Sequence, residues 1–134
     1  MRYLSTRGAD KNLSFKGILF SGLASDGGLY VPEKWPQVEY EKLKKQSNYS
    51  DLAFEIIHPF MEGDIEINEL KKIINDAYSN FSRDEIISFK NLKKNEKIIE
   101  LFNGPTLAFK DFAMQLIIPI FDYYLSSKKE KLNL

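Results

Sequence analysis

The chain has 134 residues, of which 43% are hydrophobic and 28% charged, and its 19 basic residues balance its 19 acidic ones. This composition is typical of a soluble globular protein of about one domain, and the balanced charge gives no indication of a nucleic-acid partner. Without cysteine and with one histidine, the chain excludes disulfides and thiolate metal sites, and we predict no metal. No apolar run approaches the roughly 18 residues of a membrane span, so we predict a cytoplasmic protein without a membrane partner.

The first third of the chain contains a predicted short helix and a predicted short strand. Ser14 can cap a helix over residues 15–21, which Gly22 would end in a left-handed conformation. Residues 26–28, Asp-Gly-Gly, predict a turn, and they lack the further acidic ligands of a calcium loop. A strand over residues 29–31 would follow and end at a proline.

Two amphipathic helices are predicted in the middle of the chain. Ser50 or Asp51 would cap the first helix, whose apolar face would contain Leu52, Ala53, Ile56, Ile57 and Phe60. The second would run over residues 67–80, with an apolar face made of Leu70, Ile73, Ile74, Ala77, Tyr78 and Phe81. We expect the two faces to pack on each other in a helical hairpin, and we expect His58 to be packed or capping rather than catalytic.

The pattern changes near residue 95, where a polar loop over residues 93–97 marks a predicted boundary. A buried strand is predicted over residues 98–102, and a helix over residues 107–125. Pro119 should kink or break that helix, whose apolar face would contain Phe112, Ala113, Leu116, Ile117, Ile120, Phe121 and Tyr124. A polar linker over residues 126–131 and the start of a strand at residues 132–134 would follow. The order strand, turn, helix and strand start predicts the beginning of an α/β unit.

The lysine of the segment 100–113 is the strongest candidate for a catalytic residue. Lys110 would lie on the first turn of a helix between Phe109 and Phe112, and both the helix dipole and the apolar neighbours disfavour an ammonium there. A neutral lysine amine is what Schiff-base chemistry requires. A solvated surface lysine remains the alternative, and Thr106 could be a plain N-cap.

Three stretches in order resemble the N-terminal part of the threonine synthases. They are residues 3–8, Tyr-Leu-Ser-Thr-Arg-Gly; the glycine-rich residues 22–32; and residues 100–113, with the sequence Gly-Pro-Thr-Leu-Ala-Phe-Lys-Asp inside them. The helical hairpin between them is similar in order and spacing. The resemblance therefore extends over essentially the whole chain.

The resemblance implies a lyase that uses pyridoxal phosphate, with the tryptophan-synthase-like fold (fold type II). Such enzymes convert O-phospho-L-homoserine and water into L-threonine and phosphate in threonine biosynthesis. It implies that Lys110 holds the cofactor as a Schiff base and moves protons when it is freed, with Phe109 and Thr106 as further cofactor contacts and Asn103 as a substrate contact. The position of Asn103 is usually histidine in the family, and an asparagine cannot shuttle a proton.

The family is much longer than this chain, so we expect an α/β protein that is truncated. Residues 1–95 would be the mostly helical N-terminal domain, and residues 96–134 the incomplete start of the cofactor-binding domain. The missing C-terminal part would be the partner that supplies the phosphate-binding loop and most of the substrate site, and the isolated chain should be inactive. Two alternatives stay open: a phospholyase acting on another phosphorylated amino compound, and a non-catalytic module that binds a partner through its last helix.

Overall fold

The computed structural model describes residues 1–81 and 85–126, which combine helices with short strands as predicted. The elements in chain order are β1 (Tyr3–Ser5), α1 (Phe15–Ser21), β2 (Tyr30–Pro32), α2 (Tyr40–Leu43), α3 (Tyr49–Ile57), a 3-10 turn (His58–Phe60), α4 (Ile67–Ser79), β3 (Ser88–Lys93), β4 (Glu96–Glu100) and α5 (Asp111–Ser126). The chain forms two compact units, one over Met1–Lys71 and one that begins at Lys72. None of the helices in the described ranges has the length and apolar character needed to cross a membrane. From residue 127 onward, the predicted linker and strand start lie outside the described residues.

The first unit contains a two-stranded antiparallel sheet. The predicted strand forms as β2, one residue later than expected, and pairs with β1, where Leu4 lies opposite Val31. The pairing partner was not predicted because three residues are too few for an alternating pattern to show. Tyr3 in β1 is buried, and its hydroxyl donates a hydrogen bond to the carbonyl of Phe60. Burial, with the nearby charge of Asp64, raises the pKa of Tyr3 to about 12.

The helix caps of the first unit follow the sequence in one case and depart from it in another. For α1 the prediction is confirmed: the hydroxyl of Ser14 accepts from the N–H of Gly17 at 3.1 Å, and Gly22 ends the helix with a φ of 69°. For α3 the predicted cap is wrong. The side chain of Asn48 accepts from the N–H of Asp51 at 2.8 Å, which satisfies an otherwise unpaired donor of the first turn.

The buried face of α3 is also narrower than predicted. Ala53 and Phe54 are buried, whereas Ile56 is exposed. The predicted face therefore included an exposed isoleucine and omitted the buried Phe54. The ring of His58 stacks on that of Phe54 with the centroids 5.1 Å apart. The expectation of a packed histidine is therefore confirmed.

A carboxylate organises the predicted Asp-Gly-Gly turn. Both oxygens of Asp26 accept from the hydroxyl of Ser5, at 2.7 and 2.8 Å, and the N–H groups of Ala9 and Gly28 donate to the same carboxylate at 3.0 and 2.9 Å. The bond from the Ser5 hydroxyl is the main reason why the pKa of Asp26 is lowered, and the Ala9 N–H lowers it further against the opposing effect of burial.

We expect the stability of the protein to depend on this carboxylate in acid. Because the pKa of Asp26 is lower in the folded than in the unfolded chain, its contribution is complete above the unfolded value of about 3.9 and is lost as the pH falls below it. The Asp26→Asn variant should therefore show a shallower loss of its denaturant midpoint between neutral and acid pH. The matched control is Asp76→Asn, at an exposed position on α4, and equal slopes for wild type and Asp26→Asn would contradict the expectation.

Helix α4 has the predicted limits to within one residue and the predicted apolar face. The buried residues recur at helical spacing and are Leu70, Ile73, Ile74, Ala77 and Tyr78, followed by Phe81 just after the helix. The hydrophobic period of 3.6 residues was sufficient to place this element because it extends over more than three turns.

The predicted polar loop at residues 93–97 is instead part of a β-hairpin. Strands β3 and β4 pair antiparallel with Phe89 opposite Ile99 and Lys93 opposite Glu96, so only two residues remain for the turn. The predicted buried strand exists as β4, but it is not buried: Ile99 is 55% exposed and Ile98 is exposed as well. Apolar composition indicated burial, whereas the described residues leave this face of the hairpin uncovered.

Helix α5 begins four residues later than predicted and continues through Pro119 without a break. Its buried apolar residues, Leu116, Ile120 and Tyr124, recur every four positions, whereas Ala113 and Ile117 are exposed. The broad apolar face predicted from the sequence is therefore one narrow buried stripe beside an exposed one.

Candidate active site

The segment between β4 and α5, residues 101–110, contains all the candidate site residues. It folds as a series of turns rather than as the first turns of a helix. Leu107 has a φ of 61°, which a right-handed helix cannot accommodate and which costs roughly 1–3 kcal/mol for a residue with a Cβ. The predicted helix start at residue 107 is wrong for this reason.

The carboxylate of Asp111 holds this segment from the helix side. Its Oδ2 accepts from the N–H of Thr106 at 2.8 Å, and the Thr106 hydroxyl donates to Oδ1 and Oδ2 at 2.9 and 3.0 Å. Asp111 is only 3% exposed. Burial is the largest effect and raises its pKa, but the hydrogen bonds from Thr106, together with those from the Gln115 side chain and the Ala108 backbone, outweigh burial, and the net direction is downward. Thr106 is thus a donor to this carboxylate, and the alternative of a plain N-cap for it is wrong.

Gly104 is buried directly against the same carboxylate. A Cβ added at this position would lie 2.7 Å from the Cγ of Asp111, and closer still to its Cβ and Oδ2. The φ of Gly104 is not positive, so glycine is required here for the close approach of a side chain and not for its backbone freedom. Gly104 and Asp111 together fix both ends of the turn that carries the lysine.

Lys110 is the last residue of this turn and the cap of α5. Its carbonyl accepts from the N–H groups of Ala113 and Met114 at 3.1 and 2.9 Å, so its backbone is fixed by the helix. Its side chain is exposed and forms no ion pair with any carboxylate of residues 1–81 and 85–126. Phe109 beside it is 67% exposed and Phe112 is half-buried. The apolar surroundings predicted for the amine are therefore not supplied by the described residues.

Asn103 lies inside the protein, at 1% exposure. Its Nδ2 donates to the carbonyl of Glu85 at 2.9 Å and to that of Ile86 at 3.4 Å. These bonds tie the segment before the lysine turn to the chain that leads into β3. The structure thus brings Asn103, Thr106, Phe109 and Lys110 into one segment, and it places the first of them at a buried position.

Three residues that support the site were not predicted in that role. An aspartate at a helix start needs no role beyond its favourable interaction with the helix dipole, and the bond of Asp111 to Thr106 depends on a turn that the sequence does not reveal. Tyr78 donates from its hydroxyl to the carbonyl of Phe112 at 3.0 Å, and the ring of Phe81 packs edge-on against that of Phe112. The helical spacing of Tyr78 and Phe81 indicated burial but not this contact with α5.

Known proteins with similar sequence and structure include several threonine synthases. The family model "Threonine synthase N terminus" matches residues 2–78. The threonine synthase of Pseudomonas aeruginosa is 44% identical over 133 residues, and that of Schizosaccharomyces pombe is 39% identical over 129. The crystal structure of a threonine synthase from Brucella melitensis with bound pyridoxal phosphate matches with a TM-score of 0.92 and 39% identity, over 98% of this chain and 29% of that one.

Each match covers nearly all of this chain but only a small part of the relative. The match to the Pseudomonas aeruginosa protein covers 98% of this chain but only 28% of the relative, and for Schizosaccharomyces pombe the shares are 94% and 25%. The chain thus spans less than a third of the length of the curated relatives it matches. Since the family model covers more than half of the chain, the chain belongs to the threonine synthase N-terminus family.

Proposed function

We propose that this chain is the N-terminal part of a threonine synthase, in which Lys110 binds pyridoxal phosphate covalently. The enzyme would convert O-phospho-L-homoserine and water into L-threonine and phosphate, in the cytoplasm. The observation that carries the proposal is the turn that presents the exposed Lys110. It lies in a chain that matches, over nearly all of its own 134 residues, part of a threonine synthase structure that contains this cofactor.

The residues present fit the attachment of the cofactor. The side chain of Lys110 is exposed, and no carboxylate of the described ranges forms an ion pair with it. Its amine is therefore accessible to an aldehyde. Condensation of that amine with the aldehyde forms a carbon–nitrogen double bond and releases water. When bound, pyridoxal phosphate supplies an electron sink for the bonds of an attached amino acid. The protein must position the groups around it.

The proposed roles of the chain's own residues follow from where each lies. Lys110 holds the cofactor and, once released by the arriving substrate, its amine moves protons between substrate carbons. Phe109 is exposed beside the lysine and offers an apolar surface to a ring, and Thr106 lies in the same turn. Asn103 is proposed as a substrate contact that can donate or accept a hydrogen bond but cannot act as an acid or base.

The remaining parts of such a site would lie outside the 134 residues. We propose that residues 1–95 form the N-terminal domain and that residues 96–134 begin the cofactor-binding domain. The phosphate-binding loop and most of the substrate contacts would come from the C-terminal part that the relatives possess. The isolated chain should therefore have no turnover, because a lysine without a phosphate cradle cannot retain and orient the cofactor.

The proposal is tested with the full-length product of the gene that encodes this chain, called the gene product below. Loaded with pyridoxal phosphate and given O-phospho-L-homoserine, it should release phosphate and form L-threonine in equal amounts. O-phospho-L-serine is the matched control substrate, and it should release much less phosphate. A gene product that binds the cofactor but leaves O-phospho-L-homoserine unchanged would contradict the proposal and favour another phosphorylated amino compound.

A further inference from the structure

We propose that Asp111 is a positioning residue for Lys110: through Thr106, its carboxylate locks the turn that presents the lysine amine. This inference rests on the proposed function, because it assigns a task to Asp111 in the attachment of the cofactor. It is carried by the burial of the carboxylate, by the close packing around it and by the strained backbone that it encloses.

The first observation is that Asp111 is buried where a surface aspartate would suffice for the helix. An aspartate in the first turn of a helix interacts favourably with the dipole while it is solvated. Burying a carboxylate is costly unless its oxygens accept hydrogen bonds. Here the N–H and the shared hydroxyl hydrogen of Thr106, five positions away, donate to it, and the Gln115 side chain and the Ala108 backbone contribute further hydrogen bonds. The carboxylate thus closes a loop that contains Lys110.

The second observation is that this loop is packed and strained. Gly104 lies so close to Asp111 that no Cβ fits between them, and Leu107 adopts a left-handed φ of 61°. A non-glycine residue keeps such a conformation only when its surroundings hold it there. The N–H of Leu107 donates to the Gly104 carbonyl at 3.1 Å, and the bonds between Asp111 and Thr106 close the loop around it, so both are placed to hold this conformation.

The third observation is that the helix side of the loop is anchored independently. The hydroxyl of Tyr78 bonds to the Phe112 carbonyl, and the Phe81 ring packs on Phe112 with centroids 5.1 Å apart. Lys110 therefore lies between a fixed helix start and a turn fixed by Asp111. Its backbone has one position while its side chain remains accessible, which is the arrangement that a reacting amine requires.

Loss of the hydrogen bonds between Asp111 and Thr106, called the lock here, should let the turn relax, so that the amine of Lys110 occupies several positions. A displacement of about 1 Å at a reacting group can cost about 100-fold in rate. We therefore expect the cofactor to attach more slowly to Lys110 in variants without the lock, even where the fold and the lysine are intact.

The experiment measures how fast Lys110 captures pyridoxal phosphate in the gene product after the cofactor has been removed. Samples are quenched with borohydride over time, and the reduced adduct on the Lys110 peptide is quantified by mass spectrometry. Asp111→Asn should slow capture by about 100-fold, and Thr106→Val, which keeps the backbone N–H donor, by about 10-fold. Thr106→Ser restores the hydroxyl and should return the rate to near the wild-type value.

Asp122→Asn is the matched control, because Asp122 is an exposed aspartate of the same helix, and it should capture the cofactor at the wild-type rate. Each variant is compared at a temperature below its own melting transition. If Asp111→Asn does not fold, the Thr106→Val and Thr106→Ser pair decides the question. Folded Asp111→Asn and Thr106→Val proteins that capture the cofactor at the wild-type rate would overturn the inference.

The same data separate this inference from the proposed function. A wild-type gene product that captures no cofactor at Lys110 would overturn both. Normal capture by wild type together with normal capture by the variants would overturn only the role of Asp111. A merely structural role would lower the melting temperature of the Thr106→Val protein without slowing capture in the folded state.

Discussion

The Lys110→Ala variant of the gene product is expected to lose covalent cofactor attachment and to release phosphate at least about 1000-fold more slowly. The physical reason is that the variant lacks both the amine that condenses with the aldehyde and the group that moves protons, and a positioned acid or base contributes about 10²–10⁴-fold. Stability should change by no more than about 0.5 kcal/mol, because the side chain is exposed. Phosphate release and the denaturant midpoint are the two measurements.

Two further variants separate the amine from the charge. Lys110→Arg keeps a cation but offers no amine able to form a Schiff base, so it should be as inactive as Lys110→Ala. Lys97→Ala removes an exposed lysine of β4 and should be as active as wild type. Turnover at the wild-type rate in Lys110→Ala would refute the assignment of the lysine.

The Gly104→Ala variant is expected to have the largest effect on stability among single changes near the site. The added methyl would overlap the side chain of Asp111, whose Cγ would be 2.7 Å away. Asp111 cannot withdraw without breaking its bonds to Thr106 and exposing or orphaning a carboxylate. Overpacking of this kind costs about 1–3 kcal/mol. Chemical denaturation measures the loss, and capture of pyridoxal phosphate should slow as well.

A second glycine provides the matched control with the opposite sign. Gly17 lies inside α1, and a Cβ there would meet only the Ser14 hydroxyl at an ordinary 3.4 Å. Gly17→Ala should therefore be neutral or stabilise by about 0.4–1 kcal/mol, through reduced freedom of the unfolded chain. Equal stability of the Gly104→Ala and Gly17→Ala proteins would show that the space beside Asp111 is not as tight as the structure indicates.

The sequence predicted those elements whose pattern lies within neighbouring residues, and it missed those that depend on contacts with residues elsewhere in the chain. Helix α4 was predicted almost to the residue because its apolar period repeats over several turns. The start of α5 was missed because leucine at position 107 favours a helix locally, whereas a side chain four residues further along holds it in a left-handed turn. The hairpin was missed because β3 is polar and exposed, without the alternation that marks a half-buried strand.

In the candidate site, the reacting residue could be predicted from the sequence, whereas its surroundings could not. The identity of Lys110 as the residue of interest came from a motif of neighbouring residues, which the sequence contains in full. The surroundings of the lysine could not be predicted in this way. The expected apolar environment depends on what covers Phe109 and Lys110, and the described residues cover neither. The lock between Asp111 and Thr106 required the three-dimensional turn and could not be seen from spacing alone.

The proposed function depends on Lys110 being the lysine that binds pyridoxal phosphate. The most direct measurement is peptide mapping of the wild-type gene product after loading with the cofactor and reduction with borohydride. We expect one reduced pyridoxyl group per protein, on the peptide that contains Lys110. A reduced group on a different lysine, or none on a folded protein saturated with the cofactor, would contradict it.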